Sequence, residues 1–293
     1  MTEIRTVAVL GAGTMGHGIA QICAAAGMEV RLYDVDTQAV QAGADRVRAN
    51  LAKGIARGKV SEEERDGTLA RLSTETVIAL AVDGADLVVE AAPESMELKA
   101  KIFAEVDQVA PDHAILASNT SSLSISEISE AVADPTRFIG MHFFNPVHIL
   151  KLLEIVVAEQ TSDATLATVR AVGDRMNREL VVVKDSPGFA SSRLGLCLGL
   201  EAIRMVEQGV ASAEDIDTAV RLGLNHPMGP LALADFIGLD TCLAVMRVLH
   251  EGMGDSKYRP CPLLVKYVEA GWLGRKTGRG FYYYGGKEPV ATR

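Results

Sequence analysis

"TVAVLGAGTMGHGIA", residues 6–20, is the stretch on which the reading of the fold turns. A short apolar run ends at Gly11, and a helix-forming run opens a few residues later. Between them stands Gly11-x-Gly13-x-x-Gly16. The first glycine permits a tight turn, the second lets the backbone approach a pyrophosphate, and the third lets the helix pack close to the strand. Thr14 and Met15 complete the turn, where the exposed N–H groups of the helix start attract phosphate. The next β-like run, "EVRLYD" (29–34), ends in Asp34, 18 residues after Gly16. An acid there accepts hydrogen bonds from the adenosine ribose hydroxyls and repels a 2′-phosphate, which predicts NAD in preference to NADP. The plainer reading is a βαβ turn followed by a surface aspartate.

Beyond this stretch, short β-like runs alternate with helical ones. "ADLVVEA" (85–91), "AILASN" (114–119), "RFIGMH" (137–142), "LLEIVVA" (152–158) and "ELVVVKD" (179–185) are separated by Ala-, Leu-, Glu- and Lys-rich segments. Residues 36–58 read as the first arm of a helical hairpin, with "GKVSEEERD" starting the second. Such alternation implies βαβ units and a mostly parallel sheet. After "DSPGF" (185–189) the character changes to long helical runs broken by Gly- and Pro-rich turns. The expected organisation is an α/β, Rossmann-like domain over 1–184 and an all-α domain over 185–293.

The chain has 293 residues, 48% hydrophobic and 23% charged, as an ordinary globular protein does. No apolar run reaches the roughly 18–20 residues of a membrane helix. "MTEIRTVAVLGAG" lacks the basic start and long apolar segment of a secretion signal, so a cytoplasmic protein is expected. The four scattered cysteines form no CxxC pair, which argues against a zinc site. A net charge of −9 argues against general nucleic-acid binding.

"GAGTMGHGIAQ", "EAAPESMELKAKIF", "SNTSSLSI", "GMHFFNPVHILKLLEIV", "PGF", "HPMGP" and "GWLGRKTGRGFYYY" together resemble the short-chain L-3-hydroxyacyl-CoA dehydrogenases, in particular the bacterial 3-hydroxybutyryl-CoA subgroup. The resemblance covers nearly the whole chain, in the family's motif order and at the length of the stand-alone enzyme. It implies an N-terminal domain that binds NAD and a helical domain that completes the substrate site and supplies most of a homodimer interface. The implied reaction interconverts an (S)-3-hydroxyacyl-CoA and a 3-ketoacyl-CoA.

Oxidising a secondary alcohol requires a base for the hydroxyl proton and fixed donors for the charge that develops on oxygen. Histidine suits the proton step, and a carboxylate behind it fixes the tautomer. The resemblance assigns these parts to His142 and Glu154, which a turn at "NPVH" can bring together. His148 reads as a turn histidine. Ser121 matches the serine that bonds the substrate's 3-oxygen, although Ser118 and Ser122 lie close by and a helix cap explains such serines equally. Asn145 matches a residue beside the nicotinamide. Glu94 and Lys99 match positions near its ribose, with ordinary helix-start and surface charges as the alternative. Ser192 stands where the family has an Asn that contacts substrate. Lys53, Arg57 and Lys59 either face CoA phosphates or are solvated helix charges.

Two other readings stay open: a dehydrogenase of a non-CoA hydroxy acid, such as a sugar acid, and a non-catalytic nucleotide-binding protein on the same scaffold.

Overall fold

The structure is a computed structural model that describes residues 3–286 and 288–292. By internal contacts the chain forms two compact units, Met1–Ser186 and Pro187–Arg293.

In the first unit the elements run β1 (Thr6–Leu10), α1 (Gly16–Ala25), β2 (Glu29–Tyr33), α2 (Thr37–Ala56), α3 (Glu62–Ala70), β3 (Leu72–Glu75), α4 (Ile78–Val82), β4 (Leu87–Glu90), α5 (Met96–Asp107) and β5 (Ile115–Ser118). They continue with α6 (Ile125–Ser129), β6 (Phe138–Phe143), β7 (Leu152–Val157), α7 (Asp163–Arg175) and β8 (Glu179–Lys184). One eight-stranded sheet results, in the order β3-β2-β1-β4-β5-β6-β7-β8. All pairings are parallel except β6 with β7. The first six strands follow the order of dinucleotide-binding folds, so ligands are expected beyond their carboxyl ends.

Local sequence explains the boundaries. Asp36 accepts from Gln38 N and starts α2. Ser61 and Glu64 form a reciprocal capping box that starts α3, the second arm of the expected hairpin. β4 and β5 are buried at every position, as central parallel strands must be. β3, "LSTE", has no apolar periodicity and is an edge strand; its pairing with β2, not its composition, makes it a strand. Its absence from the sequence reading has that cause. The main core packs one face of the sheet against α1 and α7, with Val7, Val9, Ile19, Leu32, Val89, Leu153 and Val169 fully enclosed.

The second unit contains α8 (Ser191–Glu207), α9 (Ala213–Gly223), α10 (Pro230–Ile237), α11 (Leu239–Met253) and α12 (Pro262–Glu269) around a separate apolar core. A two-residue ladder, β9 (Tyr282–Tyr283) with β10 (Val290–Ala291), accompanies the helices. Among the described residues no helix is long and apolar enough to cross a membrane.

Candidate active site

The glycine turn leaves β1 and enters α1. Gly11 has φ +102°, and a Cβ there would stand 2.7 Å from Ala91 O, so only glycine fits the turn. A Cβ on Gly16 would stand 1.6 Å from Gly11 O; the helix begins directly on the turn. Gly13 differs: a Cβ there would meet nothing within 4 Å. Gly13 and Thr14 are exposed, Met15 is half-buried, and no side chain caps α1. Open space above uncapped helix N–H groups is what a pyrophosphate requires.

Asp34 closes the other side of this cradle. Its Oδ2 accepts from Ala12 N at 2.9 Å, so the residue braces the glycine turn. A carboxylate has further lone-pair sites for ribose hydroxyls. This chain's residues therefore fit NAD: an open turn for the diphosphate and an acid at the end of β2.

His142 and Glu154 form a directly opposed pair in the antiparallel β6–β7 register. His142 Nδ1 lies 2.8 Å from Glu154 Oε2, and both side chains are buried. The reversal of direction at β7 does the work. A parallel β7 would have required a long crossover, whereas an antiparallel strand returns a glutamate twelve residues on to the histidine it left. The Phe144 ring packs on the imidazole at 4.4 Å between centroids. His148 lies in the following turn, 3.5 Å from Asn50 Nδ2. Burial first, then the charges of His17 and Lys53, hold its pKa below the ordinary value.

A buried charge network occupies the ends of β4 and β5. Lys99 is 1% exposed, which overturns the surface-charge alternative for it. Its ammonium donates to Glu90 Oε1 at 2.6 Å and stands 3.6 Å from Glu94 Oε2. The physical reason is that α5 turns its first-turn lysine inward, toward a glutamate that ends a central strand. Glu94 Oε1 accepts from Thr120 Oγ1 at 2.6 Å, Ser121 N at 3.0 Å and Ser122 Oγ at 3.1 Å. Ser118 is fully buried and donates its hydroxyl to Glu90 Oε2 at 2.6 Å. Of the three clustered serines, Ser118 and Ser122 thus spend their hydroxyls on glutamates. Ser121 is half-buried, and its hydroxyl makes no hydrogen bond among the described residues. The helix cap belongs to Ser124, which accepts from Glu127 N at 3.2 Å.

Glu90 escaped the sequence reading. A single acid at the end of "DLVVE" was the available signal, because a buried strand tolerates a carboxylate only with partners. Asn145 is exposed in the turn after β6. Lys53 in the last turn of α2 and Arg57 just beyond it are exposed and form no ion pair among the described residues. Ser192 lies half-buried in the first turn of α8, in the second unit. No group of three or more His, Cys, Asp or Glu among the described residues is arranged to hold a metal.

Residues 6–186 match the 3-hydroxyacyl-CoA dehydrogenase NAD-binding domain, and residues 188–284 match the 3-hydroxyacyl-CoA dehydrogenase C-terminal domain. A probable 3-hydroxybutyryl-CoA dehydrogenase of Bacillus subtilis is 52% identical over 96% of this chain and 98% of its own length. The 3-hydroxybutyryl-CoA dehydrogenase of Bradyrhizobium diazoefficiens is 48% identical over 99% of each. The crystal structure of (S)-3-hydroxybutyryl-CoA dehydrogenase from Ralstonia eutropha superposes with a TM-score of 0.94 at 46% identity, covering 97% of this chain and all of that one. With both domains matched in order and full-length relatives about half identical, the chain belongs to the 3-hydroxyacyl-CoA dehydrogenase family of NAD-dependent oxidoreductases.

Proposed function

We propose that the chain interconverts (S)-3-hydroxybutyryl-CoA and acetoacetyl-CoA, with His142 as the general base and acid and Glu154 as its orienting carboxylate. The observation that carries the reading is the buried 2.8 Å contact between His142 Nδ1 and Glu154 Oε2. With Nδ1 held by the carboxylate, Nε2 is the nitrogen that exchanges a proton with the substrate hydroxyl. Glu154 stabilises the imidazolium that forms during oxidation. Ser121 directs its hydroxyl to the substrate's 3-oxygen; a hydroxyl both donates and accepts, as an oxygen alternating between alcohol and ketone demands. Bound NAD supplies the hydride acceptor at the substrate's C3.

Gly11, Gly13, Thr14, Met15 and Gly16 hold the diphosphate, and Asp34 takes the ribose hydroxyls. Glu94, Lys99 and Asn145 serve the nicotinamide end. Ser192, Lys53 and Arg57 keep their expected substrate-side roles. The 1–184 and 185–293 segments divide the work as cofactor-binding and substrate or dimerisation domains. Exposed Leu194, Leu222 and Leu224 in the second unit support a homodimer, which sedimentation would measure. About 50% identity to 3-hydroxybutyryl-CoA dehydrogenases over nearly the full length of both chains supports a CoA ester over a free sugar acid.

The test is NADH oxidation followed by absorbance, with acetoacetyl-CoA as substrate and NADPH and free acetoacetate as controls. Turnover with NADH and the CoA ester, at least about tenfold above either control, is expected, because the acid at Asp34 disfavours a 2′-phosphate. Equal rates with free acetoacetate would overturn the CoA assignment.

A further inference from the structure

Glu90 lies outside every role assigned above, yet it is fully buried at the carboxyl end of β4, between the glycine turn and the serine loop. Its two oxygens are used separately. Oε1 accepts from Lys99 Nζ and Ala92 N, each at 2.6 Å. Oε2 accepts from Ser118 Oγ at 2.6 Å, the residue paired with Glu90 in the parallel register. Each arm leads toward Ser121. Ser118 Oγ in turn accepts from Thr120 N at 3.3 Å. Lys99 stands between Glu90 and Glu94, and Glu94 accepts from Ser121 N.

We propose that Glu90 is a positioning residue that presents the Ser121 hydroxyl to the substrate, acting through Lys99 and Glu94 on one side and Ser118 on the other. This rests on Ser121 being the substrate contact. A buried lysine shared by two glutamates is held where it is by the nearer and better-buried one. Remove the charge of Glu90, and the Lys99 ammonium turns to its remaining carboxylate, Glu94. Glu94 then no longer holds Thr120, Ser121 N and Ser122 together. The loop loses its register while the apolar core around it stays intact.

The test is a double-mutant cycle on kcat for acetoacetyl-CoA reduction, using Glu90→Gln, Ser121→Ala and the combination. Glu90→Gln is expected to lower kcat about tenfold or more alone, and by less than about threefold in the Ser121→Ala background, because groups acting as one unit are not additive. A residue that only stabilises the fold would lower the melting temperature and leave the two rate losses multiplicative; multiplicative losses overturn the proposal. Glu90→Gln at wild-type kcat also overturns it. If Glu90→Gln yields no folded protein, Ser118→Ala removes a single hydroxyl and carries the same cycle, with the same two outcomes. If Ser121→Ala itself keeps wild-type kcat, the assignment of Ser121 fails, and this inference with it. A slow Ser121→Ala with multiplicative losses sinks the Glu90 inference alone.

Discussion

Each unit buries carboxylates, and it treats them differently. In the first, Glu154 faces His142, and Glu90 faces Lys99; each buried acid meets a basic side chain. In the second, Asp235 and Asp217 are equally buried but meet only groups that keep their protons. Asp235 accepts from Phe281 N at 3.0 Å, Tyr282 N at 2.9 Å and Tyr284 Oη at 3.0 Å. Asp217 accepts from Leu231 N, Ala232 N and Tyr282 Oη. Burial and the adjacent aspartates push both tyrosine hydroxyls far above their usual range, so they stay protonated donors. The second arrangement pins the "GRGFYYY" segment and the start of α10 to the helical core. Burial alone does not mark an acid as functional; the chemistry of the side chain it faces is the more informative feature.

Four substitutions put this contrast to the test. His142→Gln is expected to lower kcat by about 10³-fold or more, since a positioned acid–base group contributes about 10²–10⁴. NADH affinity, measured by fluorescence titration, should stay within about threefold, because the glycine turn and Asp34 are untouched. Retained turnover would remove His142 from the proton step.

Asp235→Ala should act in the opposite currency. It strands two backbone N–H groups and a tyrosine hydroxyl, and a loss of about 3 kcal/mol in unfolding free energy is expected. Denaturant unfolding checks this, and NADH affinity of the folded protein should be retained. A stability loss under about 1 kcal/mol would mean that the acid is not the staple described.

Glu154→Gln should lower kcat about 10²-fold, less than loss of the histidine itself, because an amide still accepts from Nδ1 but no longer stabilises the imidazolium. An equal or larger loss than for His142→Gln would assign the base role elsewhere.

The smallest effect belongs to His148. Its folded pKa lies below 6.5, so the unfolded chain takes up the proton first as pH falls. The stability contributed by the neutral ring is complete above pH 6.5 and is lost as pH drops through the lowered folded value. The ring is half-exposed, so His148→Gln should flatten the melting temperature between about pH 7 and about pH 5 by only about 1–2 °C. An unchanged slope would place the acid sensitivity in other groups.

How far each part was legible follows from the range of the forces involved. The Rossmann-like alternation of strands and helices was readable because buried parallel strands are continuous apolar runs and the glycine spacing is local. β3 was not, because an edge strand needs no apolar face. Nor was the difference among Ser118, Ser121 and Ser122, of which only the first and last have a hydroxyl that a glutamate reaches. The burial of Lys99 was not legible either, since nothing in "ESMELKAK" says which face of α5 meets β4.

The strand–helix alternation, the Gly11–Gly16 turn and the acid at the end of β2 are legible in the amino-acid sequence, and its resemblance to known dehydrogenases implies the pairing of His142 with Glu154. The alternation and the turn rest on backbone sterics and apolar periodicity, which act over a few residues, whereas the pairing rests on the resemblance alone. The assembled fold is what sets β7 antiparallel to β6, buries Lys99 between two glutamates and, among the described residues, leaves Ser121 of the three serines with a hydroxyl that makes no hydrogen bond. Those depend on which polar groups meet once the core has closed. Desolvation makes each such meeting cost several kcal/mol unless it is satisfied, and no window of sequence contains both partners' surroundings.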